Sequence, residues 1–132
     1  MGYMQHHAII VTSWNEARVA EAHTKAHELF DVPGSPGYSA ATASITPVTE
    51  ETMNGYVSFM VAPDGSKEGW DHSDAGDAAR AAFIEWLRAQ CHEDGSSKLD
   101  WVEVQFGDDE HETCIVNDSD EEARQRWATR SA

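Results

Sequence analysis

Trp101-Val102-Glu103-Val104-Gln105-Phe106 alternates with a period of two, the pattern of a strand that lays one face on a core. By hydrophobicity, Val102, Val104 and Phe106 form the core face, and Trp101, Glu103 and Gln105 point the other way. Tyr56 to Ala62 reads in the same manner, with Val57, Phe59 and Val61 inward and Tyr56, Ser58 and Met60 outward. Residues 8–14, Ala-Ile-Ile-Val-Thr-Ser-Trp, add a short β-branched strand near the start. Residues 38–48 favour an extended edge strand. Thr113 to Val116 returns as a hairpin partner after the Gly107-Asp108-Asp109 turn.

Helical spacing fills the intervals. Ser13 or Asn15 offers an N-cap, and Val19, Ala22, Ala26, Leu29 and Phe30 recur on one face until the Pro33 and Pro36 segment stops the helix. Met53-Asn54-Gly55 signals a turn. Ser73 or Asp74 can cap a second helix reaching Cys91, with Ala79, Phe83, Trp86, Leu87 and Gln90 on one side. Ser119-Asp120-Glu121-Glu122 has the capping-box pattern and opens a short last helix through Trp127 to Arg130.

The order is therefore βαββαβ with an added strand. Helices and strands that each carry one apolar face bury them by stacking both helices on one side of an antiparallel sheet. This predicts an α+β, ferredoxin-like sandwich with a short C-terminal helix, as a single domain over residues 1–132. The other side of the sheet stays open. Tyr56, Ser58, Met60, Trp101, Glu103 and Gln105 would then form a mixed aromatic, thioether and polar surface suited to self-association, unless the C-terminal helix covers it.

Composition limits the functions. A chain of 132 residues with 40% hydrophobic and 25% charged residues folds as a globular unit. No apolar run has the roughly 18 residues that a membrane span needs, and the start has no basic leader followed by a long apolar stretch, so a cytoplasmic location is expected. Nine basic residues against 24 acidic ones give a net charge of −15, which rules out sequence-general binding to nucleic-acid phosphates. Cys91 and Cys114 belong to no Cys-x-x-Cys pair and read as free, buried thiols.

Catalytic and metal motifs are wanting. His23 and His27 stand one helical turn apart, but no further ligand set accompanies them, and His23 reads better as a hydrogen-bonded core histidine. The Asp71 to Asp77 and Asp118 to Glu122 clusters do not fit a calcium loop and suit helix N-termini. His111-Glu112-Thr113 is one copy of an element that two-histidine phosphodiesterases need twice. No nucleophile elbow, phosphate-binding loop or Rossmann fingerprint occurs. Neither a metal nor a cofactor is expected.

The scarce basic residues are more informative. Arg124, Arg126 and Arg130 cluster with Trp127, and Arg126 and Arg130 are i, i+4 neighbours. Guanidinium forks and an indole suit phosphate and a flat base, and Trp101 offers a second stacking surface. The alternative is that these arginines complement the helix dipole and offset the eight acids between Asp108 and Glu122. Lys67, in the Gly-flanked Asp64 to Trp70 loop, could likewise meet a phosphate, although such a loop is more often only a turn. The −15 field opposes any anion unless two chains pool their arginines.

His7 to Trp14, Asn54 to Phe59, Pro63 to Trp70, Phe83 to Leu87 and Trp101 to Asp108 resemble the corresponding strings of small uncharacterised phage proteins. The inferred topology is similar to that of phage anti-Thoeris sponge proteins, oligomers that bind cyclic nucleotide immune signals without cleaving them. The Arg126 and Arg130 pair is similar to that family's ligand-binding arginines. The resemblance implies a non-enzymatic counter-defence protein of the host cytoplasm, a homo-oligomer through the open sheet face that sequesters a small nucleotide. The alternatives are an acidic protein-binding inhibitor that imitates nucleic acid, and an accessory phage domain without ligand.

Overall fold

The computed structural model describes residues 5–30, 45–63, 71–107 and 113–120, with the side chains of 71–75 left aside. Its elements are β1 (His6–Ser13), α1 (Glu16–Phe30), β2 (Val57–Val61), α2 (Asp71–Ala89), β3 (Asp100–Phe106) and β4 (Cys114–Asp118). The strands form one antiparallel sheet in the order β2-β1-β3-β4. The α+β class is as expected.

Local chemistry sets the boundaries. Asn15 is the N-cap of α1, its Oδ1 accepting from the Arg18 amide at 3.2 Å, while Ser13 Oγ accepts from the Asn15 amide at 3.0 Å. Helix α1 has the predicted ends. Helix α2 begins at Asp71, so Ser73 and Asp74 lie inside its first turn and are not its caps. Between residues 45 and 57 the chain reverses through a 3-10 turn at Met53–Gly55, where Asn54 (φ 60°) and Gly55 (φ 75°) take the left-handed conformation.

The expected edge strand over 38–48 is not formed as such among the described residues. Ile45 makes an isolated bridge to Val61, and the Thr46 and Thr49 amides donate to the carbonyls of Met60 and Ser58 at 2.9 Å each. Thr side chains share in this pairing, since the Met60 and Ser58 amides donate to Thr46 Oγ1 and Thr49 Oγ1. Hydroxyls that take ladder positions interrupt the regular backbone pairing of this segment with β2. Residues 38–44 and the expected C-terminal helix, with Arg124, Arg126, Trp127 and Arg130, lie outside the described residues, as do Lys67 and His111.

The core lies between the helices and one face of the sheet. Val19, Ala22 and Ala26 of α1 and Phe83, Ile84 and Leu87 of α2 cover Ile9, Val11, Val57, Phe59, Val61 and Trp101. Phe83 is its centre, stacked on Trp86, edge-on to Phe30 and tilted against Phe59 at ring separations of 6.1 to 6.5 Å. His23 is the predicted hydrogen-bonded histidine, with Nε2 at 2.9 Å from the Thr46 carbonyl oxygen and its ring edge-on to Phe59. Cys91 and Cys114 are free, as expected, but half-buried.

The phase of β3 is the main correction. Pairing to β1 sets Val11 opposite Trp101, Ile9 opposite Glu103 and His7 opposite Gln105, so these six share the helix side of the sheet. Trp101 and Glu103 are buried there, at 5% and 7% exposure. Val102, Val104 and Phe106 instead join Ala8, Ile10 and Met60 on the open face. On β2, the predicted assignment of Val57, Phe59 and Val61 to the helix side is correct. The inversion on β3 has a physical cause: an indole removes more apolar surface from water than a valine does, so burying Trp101 outweighs exposing Val102.

Burial of Trp101 leaves a defect. Among the described residues, the Trp101 indole Nε1 has no hydrogen-bond partner, and an unmade bond of this kind costs about 1 to 3 kcal/mol. Replacing Trp101 with Phe removes that donor, and chemical denaturation should show a stability within about 1 kcal/mol of the parent. Trp101→Ala should cost about 3 to 5 kcal/mol by opening a cavity under Leu87 and Val11.

Candidate functional site

Two surfaces gather chemistry, one on each side of the sheet, and a β-bulge in β4 contributes a residue to each. Glu103 pairs with Asn117 and Val104 with Ile115, which leaves Val116 as an extra residue. Residues two apart in a regular strand share a face. Here the bulge turns Ile115 to the open face and Asn117 to the helix side.

On the open face, Ile10 lies between Met60 and Val102, and Val104 between Ala8 and Ile115. Phe106 pairs with His6, their rings 5.2 Å apart. Ile10, Phe106, Ile115 and Val116 are exposed, from 38% to 59%. These side chains leave an aliphatic and aromatic strip in contact with water. At the Asp100 end it dips into a hollow of about 360 Å³, walled by Ile10, Val102 and Ile115 and edged by Asp100, Asp118 and Asp120. Among the described residues, no Lys or Arg lines it. The described cations stand elsewhere: Arg18 and Lys25 on α1, Arg80 and Arg88 on α2, Lys98 in the connection to β3.

On the helix side, a cleft of about 270 Å³ opens between α2 and the strands β1, β3 and β4. Helix α2 supplies Asp77, Arg80, Ile84 and Arg88, and the strands supply His7, Glu103 and Asn117. Asn117 Nδ2 donates to Glu103 Oε1 at 2.7 Å, and Arg88 donates to Asn117 Oδ1. Arg80 holds Asp77, one turn back on the helix, with its own side chain only 11% exposed. Glu103 thus occupies a position in which the pairing of neighbouring strands would favour an apolar residue.

Sequence reasoning missed this cleft, because the predicted phase of β3 placed Glu103 on the opposite face. The i, i+8 spacing of Arg80 and Arg88 on α2 was the available signal. Of the residues singled out for ligand binding, Trp101 belongs to the core cluster on the helix side at 5% exposure and is also among the residues lining the open-face hollow. Arg124, Arg126, Trp127, Arg130 and Lys67 lie outside the described residues. Among the described residues, no group of three or more His, Cys, Asp or Glu is placed to hold a metal ion, and no helix is long and apolar enough to cross a membrane.

Asn117→Ala should cost about 1 to 3 kcal/mol in chemical denaturation, since it leaves the buried Glu103 carboxylate without its amide donor. Adding Glu103→Met should recover most of that loss, because an apolar pair of similar volume carries no desolvated charge. A double-mutant cycle measures this coupling directly. No protein-family model, curated protein or solved structure matches this chain.

Proposed function

We infer that this chain is a non-enzymatic binding protein whose working surface is the open sheet face. Its partner is a protein that presents an apolar strip bordered by Lys or Arg. The observation that carries this reading is the pairing of an apolar strip, in which Ile10, Phe106 and Ile115 are exposed and Val102 is half-buried, with an aspartate edge that is exposed at Asp100 and Asp120 and buried at Asp118. Apolar contact supplies the affinity, and the acidic edge supplies steering and partner choice. This is the acidic inhibitor among the sequence-based alternatives, and it agrees with the −15 charge of the whole chain. In the context that the phage resemblance implies, it occupies the basic groove of a host protein in the host cytoplasm.

The second reading is the nucleotide sponge. Arg126 and Arg130 with Arg124 and Trp127 favour it, and it needs copies joined through the open face so that their arginines pool against the acidic field. The ferredoxin-like arrangement belongs to the proposal as well. The ladder-type hydrogen bonds of Thr46 and Thr49 to β2 support residues 45–49 as the start of a fifth strand beside β2, and the C-terminal helix completes the scheme.

Two measurements separate the readings. A synthetic amphipathic peptide with a Leu stripe flanked by Lys should bind the protein, weaken as salt rises, and lose most of its affinity on Ile115→Asp. Its Glu-flanked counterpart should not bind. Ile115 is 59% exposed, so that substitution should leave stability within about 0.5 kcal/mol. A monomer by native mass, together with this peptide binding, supports the docking reading.

An oligomer carrying an intact nucleotide that Arg126→Ala with Arg130→Ala releases would establish the sponge instead. Binding of both peptides alike, independent of salt, would overturn the charge argument.

A further inference from the structure

The cleft beneath α2 brings two nearly enclosed side chains of opposite charge to one hollow without joining them. Arg80, 11% exposed, pairs with Asp77. Glu103, 7% exposed, takes the Asn117 amide. Both line the same space, and among the described residues no ion pair links them.

Each has unmet capacity. Among the described residues the Glu103 carboxylate takes one neutral donor directly, Arg88 reaching it only through Asn117, and a carboxylate this deep favours direct contact with a cation. A guanidinium carries five donors in a planar fork, and a single half-exposed carboxylate at Asp77 does not exhaust them. The wall between Arg80 and Arg88 is apolar, made by Ala81 and Ile84. The hollow holds about 270 Å³, below the roughly 300 to 1,000 Å³ of sites for drug-sized ligands.

An anion receptor, a carboxylate facing it and a small apolar wall describe a molecule with a negative end, a positive end and a short aliphatic part. We propose that this cleft binds a small zwitterion of the α-amino acid class, its carboxylate on Arg80 and its ammonium on Glu103. A lone anion leaves Glu103 uncompensated, and a lone cation leaves the Arg80 fork half used. A zwitterion satisfies both and adds no net charge to an acidic chain. The site lies across the sheet from the docking face, so it stands or falls independently of that reading.

Isothermal titration calorimetry and thermal unfolding of the full chain test it with glycine, L-alanine and L-glutamate at millimolar concentration. Acetate, methylamine and their equimolar mixture serve as controls. Amino acids should give saturable heat and raise the melting temperature, and the half-molecules should not. Glu103→Gln, which keeps the oxygen that accepts from Asn117, and Arg80→Lys, which keeps the charge but not the fork, should each lower affinity by about tenfold or more.

In the unmodified protein, the Arg80 Nε–H resonance should shift on addition of glycine, a readout that does not depend on either variant folding. Absence of heat and of resonance shifts with all three amino acids would overturn the proposal. Equal binding of acetate and glycine, or binding that survives both substitutions, would do so too.

Discussion

The register of β3 on β1 decides what this molecule can do. With Val11 opposite Trp101 and Ile9 opposite Glu103, the indole completes the core under α2 and the carboxylate enters the helix side of the sheet. A slip of one residue would exchange every side chain of β3 between the two faces. Trp101 and Glu103 would then stand on the open face, and Val102 and Val104 would meet the helices. The register thus creates the cleft and the apolar open face in one step. Cross-strand pairing of Ile10 with Val102 and Met60, and of Val104 with Ala8 and Ile115, returns part of the exposed apolar area to contact and offsets the cost of leaving it outside.

The bulge at Val116 completes the separation. Without it, Ile115 and Asn117 would face one way, and either Glu103 would lack its amide or the open face would lack its most exposed aliphatic member. With it, β4 serves both surfaces over three residues. Arg88 then ties Asn117 to α2, so the amide that supports Glu103 is held from the helix as well as from the strand. A chain of Arg88, Asn117 and Glu103 forms a polar path across the helix-sheet layer. Its members depend on one another, as half-satisfied buried networks are costly.

Much of the fold was legible because its signals are local. The strand near residue 8, the turn at Met53 to Gly55, the Asn15 cap and the 3.6-residue spacing of Val19, Ala22 and Ala26 each rest on a few neighbouring residues. Helix α1 accordingly has the ends that its capping and breaker residues imply. The phase of β3 is not local. In Trp101 to Phe106 both faces are partly apolar, so the choice turns on comparing one indole with two valines, and on partners from β1 and β4 that alternation within β3 does not reveal. The bulge is likewise a property of the pair, with no Gly in Cys114 to Asp118 to announce it. The cleft followed the same rule: it was hidden because it needs the correct phase, the bulge and the helix spacing of Arg80 and Arg88 together.

Charge discriminates between the occupants of the open face. Two copies meeting through it would bring Asp100, Asp118 and Asp120 of each toward an equally acidic neighbour, within a field set by 24 acids and nine bases. At physiological ionic strength, screening acts over about 8 Å, so distant acids contribute little, but carboxylates at the edge of a closed contact do not escape one another. Apolar burial can exceed that repulsion only if the geometry keeps the aspartates at the solvent rim. A basic partner needs no such arrangement. Its ammonium or guanidinium groups would turn the exposed Asp100 and Asp120 into an attractive border that speeds encounter and fixes register, while the strip of Ile10, Val102, Phe106 and Ile115 would be desolvated behind them. The sheet face is therefore better matched to a chain of opposite charge than to its own copy, and self-assembly would require the C-terminal arginines to reverse the local sign.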